Sequence, residues 1–61
     1  METLKFDEFM TLLNIRAAGR KYKEKSWSNY PTSIFYYWDD DEQMQNEIAA
    51  FTSNTTYGIY I

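Results

Sequence analysis

A 61-residue chain without cysteine has no disulfide to close it and no thiolate to hold zinc. Domains near this length bury only about 60% of the surface their unfolded chains expose, and they usually add a disulfide, a metal or a second copy. With disulfides excluded, the sequence predicts one small domain over residues 1–61, completed by dimerisation. Twelve aromatics fit that need, since large rings bury the most area per residue.

Histidine is absent as well. The usual general bases and nucleophiles are therefore missing, and a chain this short does not wall off a pocket of about 300 Å³ or more. The expectation is a protein that is not an enzyme and takes no cofactor. Asp39, Asp40, Asp41 and Glu42 offer hard oxygen ligands. Consecutive residues on a helical turn splay around the axis, however, so no metal site is expected there.

The longest purely apolar run, Ile34 to Trp38, falls far short of the ~20 residues of a spanning helix. The first residues lack the basic start and apolar run of a signal peptide, so the expected compartment is the cytoplasm. Valine is absent, while Ile, Asn, Lys and Tyr are abundant. That bias resembles the small proteins of A·T-rich phages and plasmids, which act in the host cytoplasm.

Charge is segregated along the chain. Residues 1–25 carry six bases and four acids, a sum of +2, whereas residues 26–61 carry five acids and no base, a sum of −5. Within these halves lie a +4 stretch from Arg16 to Lys25 and a −4 row from Asp39 to Glu42. Neither total is that of a strongly basic domain.

Phe6, Phe9, Met10, Leu13 and Ala17 recur at helical spacing and predict a helix over residues 5–18, with Asp7 and Glu8 in its first turn. Leu12 and Ile15 widen its apolar arc, which predicts neighbours on two sides. Residues 20–27 read as a polar helix end or as a strand; in the second case Ser26 to Pro31 form a hairpin loop. Thr32 to Trp38 are β-branched and aromatic and predict a strand. Ser33, Phe35 and Tyr37 face one side of it, and Ile34, Tyr36 and Trp38 the other. Asp39 and Glu42 have the spacing of a capping box, and Met44, Ile48 and Phe51 follow at helical intervals, which predicts a second helix ending near Ser53 and Asn54. Tyr57 to Ile61 predict a last strand. The expected fold class is α+β: two short helices packed on a small two- or three-stranded sheet, in the order α-(β)-β-α-β.

The leading functional expectation is a small binding protein that occupies a partner protein's surface. Half of the aromatics lie between Trp27 and Trp38 and run directly into the acidic row. Trp and Tyr beside charge are typical of interface centres. Phe35 and Tyr37 are assigned to the core, and Trp27, Tyr30, Tyr36 and Trp38 to the contact, with Asp39, Asp40, Asp41 and Glu42. If the partner is a nucleic-acid enzyme, the four acids imitate phosphates, as suits a phage-type inhibitor. The alternative is a nucleic-acid binder using Arg16, Arg20, Lys21, Lys23 and Lys25 beside Trp27 and Tyr30. A third reading is a subunit whose only work is assembly.

Overall fold

The computed structural model describes residues 5–27, 32–52 and 57–61. Helix α1 spans Phe6–Ala17, followed by strands β1 (Tyr22–Trp27), β2 (Ser33–Trp38), β3 (Glu47–Thr52) and β4 (Tyr57–Ile59). The strands form one antiparallel meander in the order β1-β2-β3-β4. The fold is α+β. The predicted helix and the strand over residues 32–38 are present, while the terminal strand expected over 57–61 covers only Tyr57–Ile59. Residues 22–27 form a strand paired with β2, so the sheet has four strands where two or three were expected.

The helix ends where its chemistry says it should. Ala18 and Gly19 both take positive φ, 52° and 85°, and the Ala18 N–H still donates to the Asn14 carbonyl. A left-handed pair of this kind stops a helix and turns the chain. Phe9, Leu13 and Ala17 are buried along one stripe. Leu12 and Ile15 are exposed, Ile15 at 66%, so the expected second neighbour of the helix is not found among the described residues.

The second helix is not formed. Asp39 to Asn46 make a run of turns instead, and residues 47–52 form β3. Asp41 accepts backbone hydrogen bonds from Gln45 (3.2 Å) and Asn46 (2.9 Å), while Met44 sits at φ 49°, outside the helical region. Asp39 has its own N–H bonded to the Lys21 carbonyl, and Asp41 closes the segment as a loop instead. In β3, Ile48, Ala49 and Phe51 are all buried, because the register slips opposite Tyr36 and Tyr37. A bulge of this kind turns two successive side chains toward one face. The resulting spacing imitates that of a helix. Ser53, Asn54, Tyr30 and Pro31 lie outside the described residues.

The core lies between the helix and one face of the sheet. The Phe9 ring meets Phe51 at 5.1 Å, Tyr36 at 5.6 Å and Tyr57 at 6.1 Å between centroids. Tyr36 is wholly buried, with Ile34 and Trp38 packed on the same cluster. The expected division of β2 is therefore reversed: Tyr36 is core, and Phe35 and Tyr37 stand on the opposite face.

The Tyr36 hydroxyl donates to the Met10 Sδ at 3.4 Å. Burial first, and the facing Glu24 carboxylate second, push its pKa well above the ordinary value near 10. The folded state therefore keeps this proton where the unfolded chain releases it. The stabilisation is complete below pH ~10 and declines as pH rises beyond it, by up to about 1.4 kcal/mol per pH unit. Urea titrations of Tyr36→Phe above that pH should show a shallower decline than the unsubstituted protein shows. An equal decline in both would remove Tyr36 as its source.

Candidate functional site

Two surfaces merit comparison, the acidic end of the sheet and the face turned away from the helix. At the first, the Asp39 N–H donates to the Lys21 carbonyl at 3.1 Å, joining the end of β2 to the start of β1. Arg20 reaches both Asp40 oxygens, at 3.2 and 3.3 Å, with its guanidinium 4.1 Å from the centre of the Trp38 ring. Trp38 is thus half-buried under a cation that also meets the nearest acid. An exposed pair of this kind contributes about 1 kcal/mol or less, so its main effect is to neutralise Asp40. Asp41 is engaged by its own loop. Asp39 and Glu42 remain exposed. Among the described residues, no group of three or more acidic side chains converges as an ion would require.

The basic segment is divided. Arg16 lies on the helix and donates to the Ile61 carbonyl at 2.8 Å. Arg20 is held by Asp40, and Lys21 is exposed in the connection to β1. Only Lys23 and Lys25 stand together on one strand face. Arg16 to Lys25 therefore do not make one continuous patch.

The second surface is built by strand alternation. With Tyr36 and Glu24 turned to the helix, Lys23, Lys25, Phe35 and Tyr37 turn away from it. Cross-strand register then sets out rows: Lys23 opposite Tyr37 and Tyr37 opposite Glu47; Lys25 opposite Phe35, Phe35 opposite Ala50, and Ala50 opposite Gly58. A Cβ placed on Gly58 would lie 2.8 Å from the Tyr60 ring, so that ring covers Gly58 on this same face. Tyr60 itself is 60% exposed. Among the described residues, no helix or strand packs on the face. Its centre is aromatic, one side is basic and the other carries Glu47. Desolvation, then the charges of Glu47 and Asp41, raise the pKa of Tyr37 and keep its hydroxyl neutral.

Of the expected contact residues, Trp38, Asp39, Asp40 and Glu42 lie at the acidic end, Tyr36 is in the core, and the Trp27 backbone ends β1 opposite Ser33. Phe35, Tyr37, Glu47 and Tyr60 were not expected at a binding surface. The signal that marks the open face is Ser33, the one polar residue among the alternating sets of β2, together with Lys23 and Lys25 on β1.

No helix among the described residues is long and apolar enough to cross a membrane. No protein family, curated protein or solved structure matches the chain.

Proposed function

We propose that this is a non-enzymatic binding protein that occupies the surface of a partner protein through the open face of its sheet. The observation that carries the reading is the one-sided packing of the sheet, which leaves Phe35 and Tyr37 central and Lys23, Lys25 and Glu47 around them. An aromatic centre with a charged rim is the anatomy of a protein contact. The dimer expected from the chain's length belongs to this proposal, because that face is where a second copy gains most. The acidic row is the weaker candidate, since Asp40 is paired with Arg20 and Asp41 holds its loop.

The test compares two variants as bait in a host lysate. Phe35→Ser/Tyr37→Ser should lose whatever the unsubstituted protein retains, with its far-UV spectrum and melting curve preserved. Asp39→Lys/Glu42→Lys should retain it. The opposite pattern would move the contact to the acidic end and restore phosphate imitation as its chemistry.

One observation supports a second reading, single-stranded nucleic acid: Lys23 and Lys25 stand directly across from Tyr37 and Phe35. Cations beside stacking rings are how such strands are held. With two phosphates neutralised, oligonucleotide affinity should fall with a log–log salt slope of about −1.4. The net charge of −3 opposes this reading.

A further inference from the structure

The open face is charged in a self-complementary way. In its first row, Lys23 on β1 and Glu47 on β3 flank Tyr37 on β2, one strand to either side. Consider a second copy laid face to face, with a two-fold axis running along β2. That operation places β2 over β2 and β1 over β3 of the partner subunit. Both Lys23–Glu47 pairs then form at once, and the Phe35 and Tyr37 rings fill the ~10 Å between aligned sheets. A two-fold contact needs a surface that complements itself, and this row does so without moving the backbone. An axis across the strands instead sets β1 over β1 and leaves both signs unmatched.

Shape agrees with charge. The molecule is a slab, 30 × 26 × 15 Å, thin in one direction only. Two such slabs stacked on their broad faces make a body of nearly equal dimensions. The sheet itself offers about 20 Å by 14 Å, from six-residue strands and three strand spacings. Such a contact buries well under the ~1,200 Å² of a stable interface. The dimer is therefore weak and reversible.

We propose that the first occupant of the open face is a second copy of this chain, held by reciprocal Lys23–Glu47 pairs about a two-fold axis along β2, and that a partner protein binds by displacing it. This rests on the open face being the working surface. It makes self-association a regulator of binding, because raising the protein's own concentration hides the face that the partner needs.

Sedimentation equilibrium on the full chain tests the pairing. Lys23→Glu and Glu47→Lys should each weaken dimerisation roughly tenfold or more, since each sets two like-charge pairs across the interface. An equimolar mixture of the two variants should recover the affinity of the unsubstituted chain. In the mixed dimer the two substituted positions face each other with opposite charge, and the Lys23 and Glu47 left in place on the two copies meet as before. An axis across the strands predicts a different pattern: single variants no weaker than the unsubstituted chain, and a mixture tighter than it, because opposite charges meet there only in the mixed dimer. If charge reversal prevents folding, Lys23→Gln and Glu47→Gln give the milder test: each should weaken the dimer to a similar extent.

A mixture that stays monomeric, or single variants that dimerise normally, overturns the proposal. A chain that is monomeric throughout, while Phe35→Ser/Tyr37→Ser still abolishes capture, overturns the dimer and leaves the binding face standing. Recovery on mixing, with capture untouched by Phe35→Ser/Tyr37→Ser, preserves the dimer and removes the partner reading.

Discussion

Phe9→Ala is expected to remove a large share of the protein's stability. Phe9 is wholly buried, and its ring touches elements from across the fold: Tyr36 on β2, Phe51 on β3, Tyr57 on β4 and Phe6 on its own helix. Removing a buried Phe side chain costs about 3–5 kcal/mol in lost transfer energy and residual cavity. A 61-residue domain has roughly 3–9 kcal/mol in total at the usual stability per residue. Among the described residues α1 alone covers the sheet, and no second layer of side chains is there to relax into the space. Far-UV circular dichroism and a urea titration measure the effect. A loss below about 1 kcal/mol would mean that the helix does not seat Phe9 between these strands.

The second large effect belongs to Asp41. Its carboxylate accepts the amides of Gln45 and Asn46, the last turn before β3, so Asp41→Ala leaves two donors without their partner. The expected loss is about 1–2 kcal/mol, with Asp39→Ala near zero. A helix starting at Asp39 predicts the reverse order, because Asp39 would then be the cap. Thermal melts of the two variants decide between them. The comparison is sharp because the substitutions remove the same group two residues apart.

The parts of the fold that were legible in the sequence were those with one clear period. Phe9, Leu13 and Ala17 repeat on a helix face, and Thr32 to Trp38 leave little choice but a strand. Residues 39–52 misled for a physical reason. Asp39 and Glu42 have capping-box spacing but end in a loop that Asp41 ties together. The bulge in β3 then buries Ile48, Ala49 and Phe51 at intervals that imitate a helix. Positive φ at Met44 is not something its side chain announces.

The open face was harder to read, because β2 is apolar on both faces. Phe35 and Tyr37, expected in the core, lie on the face turned away from the helix. Ile34, Tyr36 and Trp38 contain no Ser and are the set the helix covers. A tyrosine at the centre of a small core is also unexpected, and it depends on a polar handle: the Met10 sulfur accepts a hydrogen bond from the hydroxyl, with Glu24 facing it. The charge rows followed only from register. Lys23 and Glu47 are far apart in sequence and share a row because β2 lies between them.

Backbone amide chemical shifts followed through a dilution series test the role of the open face most directly. Concentration-dependent shifts should gather on Lys23, Lys25, Phe35, Tyr37, Glu47 and Tyr60, fading together on dilution, while Asp39 to Glu42 and the exposed helix residues Leu12 and Ile15 stay constant. Shifts confined to the acidic turn or to the outer face of the helix, or none at any concentration, would contradict it.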